Sequence, residues 1–460
     1  MGFRTDLVWI ILSAAVGWAY LALILGVGSG LENPVRDSFA TLRIGDFALP
    51  LSLGLVVVAT WAIVLDAPHL FATLARTVLD PDEWRVRGGV LLASFGFFLL
   101  GPALILTPRW LSSAGGLPAE AATLGSVVFL VFFRLWAYYH VVRQHWGFLR
   151  LYARRNPAAE DEREARLDRV VFPVLFYLPI GWFLTAPWYA ASGLPELGFA
   201  TEISGRTLGA WLHAPVGSVW LVTLLAYAAF QWRRSRQGVP RNLPKLLLLA
   251  ATVPLHAAAF SGPLLVLFVV PLVTAGHNLQ YQRFVWDYGQ RRYQSERSPA
   301  AFSFRNPVLY FALGLAFTLL AYRGPLVASV SGLLAGFLDG FLLPFAGLVA
   351  GAPGNGGGSL GAEVVGASLL GWAMQHYYLD AKIWQVSNDE RLRQVLRTPL
   401  PERPSRQGRG PSRTVGETRS AALRAACRPE VGVPGRCVTL PAGGLESLPT
   451  RPGTAGTPRS

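Results

Sequence analysis

Cysteine is nearly absent. Only Cys427 and Cys437 occur in 460 residues, and neither has metal-ligand spacing or a nearby partner. That excludes a disulfide framework and a cysteine-built metal site. Charge is scarce as well, at 15% of the chain against 52% hydrophobic residues. A soluble chain of this length would need more charge, so composition predicts a membrane protein. Also missing are a Walker loop, a G-x-S-x-G elbow, H-E-x-x-H, and a G-x-G-x-x-G placed between strand and helix. The glycines of "APGNGGGSLG" read as a flexible loop. No self-similarity of repeat length is visible.

Long apolar runs are plentiful. They fall at about 7–29, 48–66, 88–106, 121–142, 170–190, 207–230, 245–260, 264–284, 307–323, 327–350 and 362–384. Each approaches the roughly 20 helical residues that a bilayer core requires. The runs do not alternate in polarity, which predicts helices rather than a barrel. The expected fold is all-α, a polytopic transmembrane helix bundle. The first run lacks a clear cleavage site and reads as a retained span.

Arginine sets the orientation. The connection from 143 to 169 carries Arg143, Arg150, Arg154, Arg155, Arg163, Arg166 and Arg169, whereas 191 to 206 carries only Arg206. Positive charge stays inside, so the former is cytoplasmic, and the parity holds through eight crossings. A basic stretch from Lys382 then requires one late run not to cross. The segment 327–350, with Asp339, Gly340 and Pro344, is the best candidate for a re-entrant or interfacial stretch. About ten spans plus that segment, in the inner (cytoplasmic) membrane with both termini cytoplasmic, is the expected topology. The domain prediction is a helical membrane domain over 1–397 and a basic Pro/Gly/Ser-rich tail over 398–460 that cannot offset its ordering entropy. The +14 net charge serves topology and anionic lipid, not nucleic acid.

Seven histidines occur, and five of them, His69, His140, His145, His277 and His376, read at or near cytoplasmic helix ends. His213 and His256 read toward the outer half. Residues three or four apart share a helix face. Asp66 stands three before His69, Gln144 four after His140, Gln280 and Tyr281 three and four after His277, and Asp380 four after His376. His145, five from His140, points elsewhere on an unbroken helix. Asp66 reads as an N-cap, with Pro68 in the first turn of an interfacial helix. Arg76, Arg134 and Arg143 read as snorkelling or topology charges. Trp136, Tyr138, Tyr139, Trp146, Trp286, Tyr377, Tyr378 and Trp384 read as an aromatic belt.

Imidazole is the commonest metal ligand, and its second nitrogen usually donates to a fixing group. The candidate metal ligands are Asp66, His69, His140, His145, His277, His376 and Asp380. Gln144, Asn278, Gln280 and Tyr281 are candidate cofactor-binding groups, although amide clusters also serve as interhelical glue. Iron suits several histidines with a carboxylate and open positions, with zinc and copper also compatible.

The stretches D-x-P-H-x-F-A-T (Asp66 to Thr73), R-Q-x-x-G-F-x-x-L-Y (Arg143 to Tyr152), H-N-x-Q-Y (His277 to Tyr281) and H-Y-Y-x-D-x-x-I-W (His376 to Trp384) together resemble motif blocks of uncharacterised bacterial polytopic membrane proteins. More distantly, the chain is similar to membrane-bound histidine-dependent oxygenases, the bacterial β-carotene dioxygenases and the fatty-acid desaturases and hydroxylases. It lacks the paired H-x-x-H-H boxes of the latter. The leading expectation is a metalloenzyme oxidising a lipid or isoprenoid that arrives from the bilayer. A proton-coupled transporter and a haem protein are the alternatives.

Overall fold

The structure, a computed structural model, describes residues 3–45, 47–189, 199, 201–293, 296–322, 329–333, 360–386 and 389–396. The tail from 398 and nearly all of the 327–350 run lie outside those residues. The described chain is overwhelmingly helical, as the all-α expectation requires. Among the described residues, six helices are long and apolar enough to cross a membrane: α1 (Leu7–Gly30), α2 (Gly54–Arg76), α3 (Pro81–Ser113), α4 (Glu120–Arg155), α5 (Glu162–Leu184) and α6 (Leu208–Arg236). Shorter apolar helices follow as α7 (Leu243–Ala259) and α9 (Pro307–Tyr322), with α8 (Val269–Arg292) between them. The described chain ends with α10 (Leu360–Leu369), α11 (Gly371–Ile383) and α12 (Glu390–Leu396).

Two short antiparallel hairpins interrupt this pattern. Strand β1 (Ser38–Ile44) pairs with β2 (Phe47–Ser52), and β3 (Glu202–Ile203) pairs with β4 (Arg206–Thr207). The run from 48 therefore begins as a strand and becomes helical only at Gly54. Gly45 turns the first hairpin at φ +59°, a left-handed conformation that glycine adopts without a Cβ clash.

The expected break at Asp66 is absent. Asp66 has helical dihedrals and makes no side-chain cap bond, so α2 continues through Pro68 to Arg76. Pro68 is accommodated because wide π-turns over Gly54–Asp66 loosen the backbone ladder before it. His69 thus lies inside a span-length helix rather than on a separate interfacial one.

One buried apolar cluster joins α1, α4, α5, α7 and α8 through Ile24, Leu149, Phe172, Phe176, Val253 and Leu272. A second joins α2, α8 and α12 through Phe71, Tyr281, Val285 and Leu392. Gly276 lets α8 approach α1 closely, because a Cβ there would stand 3.0 Å from the Ala14 Cα. This is the packing role expected of small residues between apolar helices.

Helix α5 begins with a firm cap. Asp161 has an extended backbone, its carboxylate accepts from the Glu164 N–H at 2.7 Å, and Arg234 pairs with it. The backbone N–H and the guanidinium together hold its carboxyl below the ordinary value of 3.8. A depressed carboxylate contributes stability above its unfolded pKa and loses it as pH falls through the folded pKa. Asp161→Ala is therefore expected to lower stability by about 1 kcal/mol at neutral pH and by nothing measurable once the carboxyl is protonated. Unfolding of both proteins at pH 7 and in acid tests this; an equal gap at both would contradict it.

Candidate metal centre

Four histidines from four elements converge: His69 on α2, His140 on α4, His277 on α8 and His376 on α11. Each offers one ring nitrogen within 4.8 Å of all the others, and all four side chains are buried. They come from helix interiors rather than ends. Helix α4 runs on past His140 for roughly 22 Å at 1.5 Å per residue.

The rings are arranged in a cycle. Centroids are 4.2 Å apart for His69 and His376, 4.7 Å for His376 and His140, 5.1 Å for His140 and His277, and 4.9 Å for His277 and His69. His69 and His140, across the cycle, are 6.4 Å apart. An imidazole bound at ~2.0–2.1 Å puts its centroid about 3.2 Å from the ion, so right-angle neighbours stand about 4.5 Å apart, tetrahedral ones about 5.2 Å and opposite ones about 6.4 Å. The one long separation departs from a regular tetrahedron, while the four shorter ones span the right-angle and tetrahedral values. A tetrahedron would make every separation equal.

Polar bookkeeping points the same way. His376 Nε2 lies 3.1 Å from His140 Nε2, facing nitrogen to nitrogen. Neither nitrogen of the buried His69 ring has a hydrogen-bond partner, nor does His277 Nδ1. A buried donor or acceptor left unmatched costs about 1–3 kcal/mol. A bound cation would satisfy lone pairs that the protein leaves open.

One side of the cycle carries a hydrogen-bonded frame. Thr73 Oγ1 lies 2.6 Å from His376 Nδ1, 2.6 Å from the Tyr281 hydroxyl and 3.0 Å from Asp380 Oδ1. Tyr281 donates to Asp380 Oδ1 at 2.5 Å. Asp380 Oδ2 stands 3.7 Å from His376 Nε2 and 3.9 Å from His140 Nε2. Thr73 therefore fixes the orientation of His376, the task that outer partners perform at metal sites. Thr73→Val is expected to weaken ion binding by about 10–100-fold with the fold intact. Metal competition titration measures this, and unchanged affinity would refute the orienting role.

The remaining candidates are divided by the structure. Asp66 is half-buried on α2 and outside the convergent group. His145 is outside the convergent group: its Nδ1 donates to the Val141 carbonyl at 3.0 Å, and its ring meets Phe176, His256 and, at 6.4 Å, His277. His256 lies beside it, with Nδ1 3.0 Å from the Tyr138 hydroxyl. Gln144 donates to the His277 carbonyl at 3.0 Å and lies 3.3 Å from Gln280 Oε1; Gln280 donates to the Ile10 carbonyl at 2.7 Å. These two amides join helices, and the buried Gln144 Oε1 has no hydrogen-bond partner. Asn278 is buried with its Nδ2 unpaired.

Two sequence readings are corrected here. Arg76 does not snorkel: it is buried, with its guanidinium 4.4 Å from the Tyr288 ring centroid and 4.2 Å from that of Trp384. Several belt aromatics are site walls instead. Tyr377 stacks on His140 at 4.7 Å and Trp384 donates to the Tyr281 hydroxyl at 3.3 Å; Tyr138, outside the site, is buried against His256.

Sequence reasoning missed Thr73, although it stands four residues after His69 on the same face. It also missed a buried ionic cluster. Lys245 Nζ binds Glu160 at 3.1 Å, Asp168 at 2.9 Å and also Glu164; Arg234 binds Glu164 at 2.9 Å. The three carboxylates have convergent oxygens, but the lysine ammonium already supplies their cation. Compared with protein-family models, curated proteins and solved structures, the chain matches none.

Proposed function

We propose that this chain is a polytopic membrane metalloenzyme whose His69, His140, His277 and His376 bind one iron ion and which oxidises a lipid or isoprenoid. The observation that carries the reading is the four-imidazole cycle with its unpaired buried nitrogens. Imidazole donors suit iron, copper, nickel and zinc alike, and the 6.4 Å separation across the cycle departs from the regular tetrahedron usual for zinc. Iron held by these four histidines would supply activation of dioxygen. The haem alternative finds no support, because His277 and His376 occupy the plane that a porphyrin between His69 and His140 would need.

The membrane placement proposed is about ten spans with 327–350 re-entrant, in the inner membrane, both termini cytoplasmic. Basic residues closing α4, α6 and α8 support this orientation. Approach from the bilayer is supported by an aromatic file: exposed Phe132, then Trp136 at 5.4 Å, Tyr377 at a further 5.8 Å, and His140. In lipid nanodiscs, iron-loaded protein is expected to consume oxygen when given an unsaturated acyl lipid or an isoprenoid, and His376→Ala to abolish this. Iron-loaded protein inert toward both classes would contradict the oxidation.

A further inference from the structure

Tyr281 is placed for more than shaping the site. Its ring meets two members of the cycle edge-on, His69 at 4.9 Å and His376 at 5.3 Å. Its buried hydroxyl has three partners: Asp380 Oδ1 at 2.5 Å, Thr73 Oγ1 at 2.6 Å and the Trp384 indole N–H at 3.3 Å. A phenol that gives up an electron must also shed its proton, and a carboxylate oxygen already stands in its hydrogen-bond direction. Ring contact with the imidazoles supplies the electron route.

The surroundings confine the oxidation to this side chain. Further aromatics follow, with Trp384 6.2 Å from Tyr281, Tyr288 5.5 Å from Trp384 and Tyr293 6.4 Å from Tyr288. The Arg76 guanidinium, however, lies 4.2 Å from the Trp384 centroid and 4.4 Å from that of Tyr288. A fixed positive charge repels a second one, so removing an electron from either ring is costly. Tyr281 combines contact with two histidines of the cycle and a carboxylate partner for its hydroxyl.

We propose that Tyr281 is a redox-active side chain of the centre, giving one electron to the reduction of a peroxide while its proton passes to Asp380. The proposal rests on the iron reading above. With hydrogen peroxide as oxidant, ferrous iron and Tyr281 each give one electron. The O–O bond breaks, and two solvent protons complete two waters. The Tyr281 O–H bond breaks as its proton crosses to Asp380 Oδ1, leaving ferric iron and a neutral phenoxyl radical.

The test uses the full chain in detergent, loaded anaerobically with ferrous iron, given one equivalent of hydrogen peroxide, frozen and read by electron paramagnetic resonance. An organic radical is expected whose hyperfine pattern changes when ring-deuterated tyrosine is incorporated. Tyr281→Phe should lose at least about nine-tenths of that signal while binding the same iron, and Trp384→Phe should keep it. A signal that survives in Tyr281→Phe, or none in iron-loaded wild type, overturns the proposal. Iron counted on the same samples separates the two readings: no bound iron overturns the metal centre itself, and this inference with it.

Discussion

Lys245→Met is expected to cost about 3–5 kcal/mol, the usual penalty for removing one partner of a buried ion pair. The Lys245 side chain is fully buried, and its three ammonium donors are matched by Glu160, Glu164 and Asp168. Tyr227 donates to Asp168 at 2.8 Å and Gln231 to Glu164 at 3.0 Å, so the carboxylates have fixed positions and cannot separate easily. Methionine fills the volume but leaves three carboxylates facing one another, with Arg234 and Arg150 as the remaining cations. Neutralising one of the three in Lys245→Met/Glu164→Gln should restore part of the loss. Chemical unfolding in mixed micelles measures both variants, and a single-mutant loss below about 1 kcal/mol would show that the ammonium contributes little beyond a surface pair.

Replacing a member of the histidine cycle should have the largest effect on ion binding. His69→Ala, His140→Ala, His277→Ala and His376→Ala are each expected to weaken it beyond the ~10–100-fold of an outer partner, because a direct bond is lost. His145→Ala and His256→Ala should leave it within a few fold, since those rings offer no nitrogen to the convergent group and pack with Tyr138 and Phe176, His145 meeting His277 only through its ring. Competition against a chelator of known affinity distinguishes the two groups. Equal losses in all six would mean that the histidines act through packing.

The all-α character and the same-face companions of the histidines were legible because both depend on short-range pattern, and the grouping of the four histidines followed from sorting the spans by topology. Apolar length reports a span-sized helix, and a three- or four-residue spacing reports a shared face. Tyr281 and Asp380 were found by that spacing, and Thr73 satisfied it unnoticed. Neighbourhood across helices was not legible. His256 lies more than a hundred residues from His145 in sequence, yet their rings are 5.5 Å apart. Likewise Glu164 and Asp168 sit in an arginine-rich stretch that reads as a solvated connection, and only the fold brings Lys245 to them. Asp66 shows the opposite error: Asp-Ala-Pro carries a helix-start signal, but the wide turns before it let the helix run through.

The central claim is that four imidazoles from four helices hold one ion. Elemental analysis of wild-type protein purified in mild detergent, beside His140→Ala and His376→Ala, tests it most directly. The account predicts about one iron per wild-type chain, removed by either substitution with the fold retained. A folded wild-type chain carrying no metal, or carrying the same metal in both variants, would contradict it.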